Sequence, residues 1–325
     1  MLNRRILRIK AFKVIYSYAV AGNMDLAGAY AALDAHCEAT RDLYLFMLGL
    51  AGPLAREKRH RIEAARGKFH PTEEDLHPNE KFADNRLSAL LDADPDLAKA
   101  LSRRGLSWEP YDLFIKKILD TLESRDYFRA YLEAEGTSLA EDVRLMTRIY
   151  ENEFVDSEEL AAILEEKSML WVDDLAYALT WCCHTFTDLA EGQSWRLPEL
   201  YQSDIIRRRK PGAEVDSDKD FVRKLVRCAL TGYESYFGRI TAAVPDWDSD
   251  RLFYPDIALI VLGLAEAEHF PEIPLRVTLN EYIEISKFYG SPKSRGFVNG
   301  LLDRLVAALR EEGRITKTDI SKKSE

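Results

Sequence analysis

The sequence predicts an all-α protein, and three observations lead there. Apolar residues recur at the helical period along most of the chain. Only 16 glycines and 12 prolines punctuate 325 residues, while 31% of the residues are charged, a balance suited to helices with solvated faces. No run of about 18 apolar residues occurs, so no helix is expected to span a membrane. The length leaves room for two or three domains. Met1 to Lys13 lacks the apolar core of a signal peptide, and the four cysteines include no CxxC pair. A reducing, cytoplasmic setting fits these features.

In chain order, Arg4 to Val20 reads as one helix. Leu7, Ala11, Val14, Ile15 and Tyr18 share its core face, and Lys10, Lys13 and Ser17 its polar face. Arg5, Phe12 and Tyr16 fall between the two. Arginine beside aromatics suits RNA, since guanidinium pairs with phosphate and rings stack on unpaired bases. Taken alone, this helix is read more simply with its aromatics in the core and its arginines solvated.

Residues 21–66 form a polar break and one or two helices, and 67–86 an irregular stretch. There His70 and His77 flank Glu73, Glu74 and Asp75 without ligand spacing on a regular element, so a solvated loop is expected rather than a metal site. Further helices follow at about 87–102, 109–135, 139–152, 157–167 and 172–190. Cys182, Cys183 and His184 lie in the last of these. Adjacent helical positions point about 100° apart, so core packing explains them better than a nucleophile–base pair. The 190–217 region, with the run Arg207-Arg208-Arg209-Lys210 and Pro211-Gly212, reads as a linker.

From Asp218, an amphipathic helix is expected over about 219–244, with Val222, Leu225, Val226, Ala229, Tyr233, Phe237 and Ile240 inward. The next, opening near Pro255, is apolar nearly all round, as a central bundle helix should be. Then Ile273–Leu309 reads as two punctuated helices. Pro274 opens the first, Gly290 closes it as a left-handed cap, Ser291 and Pro292 open the second, and Gly313 ends it. Val298, Leu301, Leu302, Leu305 and Leu309 form the apolar stripe of the second helix. Lys293 and Phe297 sit one turn apart beside it, and Gly296 and Gly300 away from it.

The net charge is −10, unevenly spread: Arg4, Arg5, Arg8, Lys10 and Lys13 occur in the first 20 residues without an acid. A locally basic patch on an acidic chain is the pattern to test.

The phrases LNEYIEISKFYG and FVNGLLD, in order and close together, closely resemble the C-terminal signature of the NusB family of transcription antitermination factors. RRILRIKAFKVIYSY resembles that family's arginine-rich first helix. DKDFVRKLVRCALTGYESYFGRI is similar to the helix preceding its central one, and DRLFYPDIALIVLGLAEAEHF to the central helix itself. The resemblance covers about 1–36 and 216–312. Residues 37–215 have no counterpart in the compact family form and look like the helical insertion of the long form associated with Bacteroidota; 313–325 is expected to be a flexible tail.

The resemblance implies an all-helical, non-catalytic RNA-binding factor that needs neither cofactor nor metal. It would recognise the boxA element of ribosomal RNA leaders with the ribosomal protein NusE, within the RNA polymerase antitermination complex. By position, the implied RNA contacts are Arg4, Arg5, Arg8, Tyr16, Tyr289, Lys293, Ser294 and Phe297. No position for NusE is implied. Lys293 stands where the family commonly has an acid, which exchanges a base acceptor for a phosphate partner. Two other readings stand beside this one. A helical scaffold that has lost RNA binding is one; a module of an RNA-modifying enzyme, such as an rRNA cytosine methyltransferase, is the other. The enzyme would need a Gly-rich βαβ unit, and the insertion shows none.

Overall fold

The structure, a computed structural model, describes residues 1–201, 218–244 and 253–317. The fold is all-α: among the described residues the only β pairing is an isolated bridge between Leu2 and Tyr201. The basic run Arg207–Lys210 lies outside the described residues. The chain divides into two compact units, one of Met1–Cys37 with Glu199–Glu325 and one of Glu38–Pro198.

The chain opens with α1 (Arg4–Ala21), which Asn3 caps by accepting the Ile6 N–H, and α2 (Leu26–Leu48). The Glu38–Pro198 unit continues with α3 (Ala51–Arg66), the single turn α4 (Glu73–Leu76), α5 (Arg86–Ala93) and α6 (Pro95–Arg103). It is completed by α7 (Asp112–Ser124), α8 (Asp126–Glu133), α9 (Leu139–Ile149), α10 (Glu158–Lys167) and α11 (Leu175–Ala190). The helix expected over 87–102 is two, because Asp94 accepts the N–H groups of Asp96 and Leu97 and starts a new helix with Pro95 in its first turn. The one expected over 109–135 breaks where Arg125 is extended.

An aromatic cluster centres this unit: Phe46 stacks on Trp108 at 4.1 Å and lies 5.3 Å from Trp171. Tyr150 donates to the Met47 carbonyl at 2.7 Å. Burial pushes the Cys182 thiol well above its ordinary value and the Cys183 thiol up to about 11. Neither is poised as a nucleophile, and His184 is exposed. Among the described residues, no group of three or more His, Cys, Asp or Glu is placed to hold a metal ion. No described helix is long and apolar enough to cross a membrane.

The other unit is completed by α12 (Asp218–Thr231), α13 (Tyr233–Ala243), α14 (Tyr254–His269), α15 (Leu275–Tyr289) and α16 (Ser294–Glu311). The single helix expected over 219–244 breaks at Gly232, where a Cβ would stand 2.6 Å from the Tyr236 ring. Every residue of α14 from Asp256 to Ala267 is buried, which is why its sequence is apolar on all sides. Around it pack α1, α12, α13, α15 and α16. Gly313, at φ 72°, ends α16 as expected.

Of the tail expected from Gly313, residues 314–317 return to this core. Ile315 is buried, and the Lys317 ammonium donates to Thr278 Oγ1 at 3.3 Å. Burial lowers the Lys317 pKa to about 8, against the raising influence of Glu266. Below that pH both folded and unfolded chains hold the proton, and the burial penalty is fully present. Between pH 8 and about 10.4 only the unfolded chain keeps it, so stability should rise with pH. Denaturant midpoints at pH 8 and pH 10 should therefore rise more in the parent than in Lys317→Met.

Candidate nucleic-acid interface

The three arginines of α1 have three different fates. Arg8 points inward: its Nε and Nη2 donate to the two carboxylate oxygens of Glu266, each at 2.8 Å. Thr278 and Tyr282 hydroxyls donate to the same carboxylate at 2.9 Å. Burial works against the Arg8 charge, but the Glu266 hydrogen bonds and charge outweigh it and hold the pKa above the ordinary range. Arg8 is thus a core residue rather than an outward contact, which corrects the expectation for it. Lys10, expected on the polar face, is also buried.

Arg4 is partly exposed. Its Nε donates to Asp218 at 3.4 Å, and its guanidinium lies over the Phe221 ring at 5.0 Å. Arg5 is the outward one, with 55% of its side chain exposed. Its fork donates to Glu281 of α15 at 2.7 and 3.0 Å. Those bonds and the Arg5 charge hold the Glu281 carboxyl below its ordinary pKa.

One helical turn and more beyond Arg5, the aromatics of α1 reach α15. Phe12 is buried, as the simpler reading of this helix has it. It stacks on Tyr16 at 6.0 Å and meets Tyr289 at 4.9 Å. Tyr16 remains 38% exposed. The two stretches singled out at opposite ends of the sequence are therefore neighbours.

The turn between α15 and α16 departs from the expected punctuation. Gly290 is extended (φ −95°, ψ 171°), not left-handed. Its glycine is needed for space: a Cβ there would lie 2.3 Å from Ser294 Cβ and 2.5 Å from the Ser286 carbonyl oxygen. The second helix begins at Ser294, not at Pro292. Ser294 Oγ accepts the Ser291 N–H at 2.7 Å and donates to the buried carboxylate of Asp256 at 2.8 Å. Burial raises the Asp256 pKa, opposed by the Ser294 bond. Ser294 is itself fully buried, so it positions the turn instead of facing a ligand, again a correction. Lys293 is exposed ahead of it, and Phe297 is half-buried one turn later. Gly296 and Gly300 face open space, so among the described residues nothing packs on them.

Of the implied set, Arg5, Tyr16 and Lys293 are exposed and Tyr289 is half-buried; Arg5 reaches α15 through Glu281, and Tyr16 and Tyr289 both meet Phe12. Glu281 and Glu266, the carboxylate partners of Arg5 and Arg8, belong to the arrangement and are absent from the implied set. A carboxylate in the largely apolar α14 was the available signal for Glu266, since a buried acid needs a donor.

The chain is similar to known proteins of one family. The NusB family matches residues 191–307. The chain is 34% identical over 110 residues to the "Transcription antitermination protein NusB" of Salinibacter ruber, covering 34% of this chain and 69% of that one. It is 31% identical over 126 residues to the protein of the same name from Geobacter sulfurreducens, covering 39% of this chain and 87% of that one. The chain belongs to the NusB family. The corresponding Listeria monocytogenes protein is 36% identical over 91 residues, which is 28% of this chain and 71% of that one. No solved structure matches the chain. Each NusB alignment leaves more than half of this chain unmatched, so the chain is longer than a compact NusB.

Proposed function

We propose that this chain is a transcription antitermination factor of the cytoplasm. In this reading it binds boxA-type single-stranded RNA of ribosomal RNA leaders together with NusE, within the RNA polymerase antitermination complex. The relatives' name supports the general activity. The observation that carries RNA binding is the contact of Phe12 with both Tyr16 and Tyr289, which joins α1 and the α15–α16 turn into one surface. Its groups suit a single strand: Arg5 and Lys293 for phosphates, Tyr16 and Tyr289 for bases. Arg4 and Phe297 border it, while Arg8 and Ser294 hold its framework. Binding of this kind needs no catalytic group, metal or cofactor.

Charge supports the same division of labour. Residues 38–198 carry 32 Asp and Glu against 20 Lys and Arg, so that unit repels a polyanion, whereas the remainder carries 25 basic against 23 acidic residues. We assign the acidic unit to a role other than RNA contact, as an insertion into the NusB-like core.

A salt-dependent titration of boxA-type RNA, with and without NusE, tests the reading. Binding should be weak alone and tighter with NusE. Arg5→Ala combined with Lys293→Ala should weaken it and reduce the salt slope by up to about 2, one for each lost phosphate contact. Binding equal to the parent would refute the assigned contacts. One observation favours a second reading, a protein scaffold without RNA binding: the fork of Arg5 is already occupied by Glu281. Absence of RNA binding even with NusE would favour the scaffold.

A further inference from the structure

Phe288 is 81% exposed in the last turn of α15, the most exposed large apolar side chain described in its unit. A helix surface gains nothing from such a residue: phenylalanine is a poorer helix former than alanine, lysine or glutamate, and its ring stays in water. Its surroundings are specific. Tyr289, its chain neighbour, belongs to the Phe12–Tyr16 aromatic cluster. Glu281 lies seven residues earlier on the same face of α15, so Phe288 stands about 10 Å along the helix from the Arg5–Glu281 pair. Glu284, one turn before Phe288, is held below its ordinary pKa first by its hydrogen bond to Lys287, with a further contribution from the charge of Arg295. Exposed cations lie nearby in the chain: Lys287, paired with Glu284, precedes Phe288, and Lys293 and Arg295 follow in the turn and the first turn of α16. An open aromatic ring next in the chain to Tyr289, with basic residues close in sequence, suits a nucleobase on a phosphate-bearing strand.

We propose that Phe288 is a base-stacking residue, extending the RNA surface from Tyr16 and Tyr289 along the outer face of α15. The inference rests on the RNA-binding reading above. The test uses the full chain with NusE and a boxA-type RNA carrying a fluorescent 2-aminopurine, titrated at several salt concentrations. Because Phe288 is exposed, Phe288→Ala should melt with the parent. It should bind about tenfold to a hundredfold more weakly with the salt slope unchanged, as loss of stacking without loss of charge requires. Phe288→Trp should retain affinity and quench 2-aminopurine at one position in the strand; Phe288→Ala should lose that quenching. Parent-like binding and quenching by Phe288→Ala would overturn the proposal while leaving the RNA reading intact. Failure of the parent itself to bind would remove both.

Discussion

Arg8→Ala is expected to destabilise the unit containing α1 by about 3–5 kcal/mol, the usual cost of stranding one partner of a buried ion pair. The carboxylate of Glu266, fully buried in α14, would keep its bonds from Thr278 and Tyr282 but lose two charge-assisted ones. Against a total stability of 5–15 kcal/mol typical of domains, that is a large share. Calorimetry of the full chain should show the transition of this unit lowered by about 6–20 °C. Arg5→Ala, three residues earlier, removes an exposed pair with about 0–1 kcal/mol at stake and should barely move the melt. If Arg8→Ala melts with the parent, the buried network does not hold the helices together as described.

Gly290→Ala is expected to cost about 1–3 kcal/mol and to weaken RNA binding as well. The backbone angles at Gly290 are open to any residue, so the cost is purely one of space. Neither neighbour yields easily. The Ser286 carbonyl accepts the Gly290 N–H at 2.9 Å, and Ser294 is tied to both Ser291 and Asp256. Relief would come from shifting the turn that carries Lys293. A denaturant melt and an RNA titration on the same protein would check both effects; an unchanged melt would show that the turn relaxes freely.

These two positions show what the sequence could and could not reveal. The helical class, the central position of the Pro255 helix and the apolar stripe of α16 follow from local periodicity, and the structure agrees. Local signals also explain the misses. Proline and aspartate at 94–95 announce a new helix, but the helical period across them masks it. Gly290 is a glycine at a helix end, which normally signals a left-handed cap; its actual cause, the approach of Ser294, arises from the tertiary turn. The outward contacts were harder. An arginine-rich helix does not say which arginines face out, because that depends on where carboxylates lie 258 and 276 residues away in the chain. Tyr16 and Tyr289 were named by resemblance, and only their shared contact with Phe12 makes them one surface.

The divided origin of the unit that holds α1 has a consequence for the order in which it can form. The partners of α1 in that unit, α12 and α14, are encoded roughly 200 residues later, a delay of roughly 10–40 s at translation rates of 5–20 residues per second. During that interval the Leu7, Ala11, Val14 and Ile15 stripe has no partner from α12 or α14, while residues 38–198 are already complete and able to fold. Closing so long a loop makes assembly of the unit that holds α1 the late, slow event of folding. Ribosome-bound chains should therefore gain protease resistance in the 38–198 unit first.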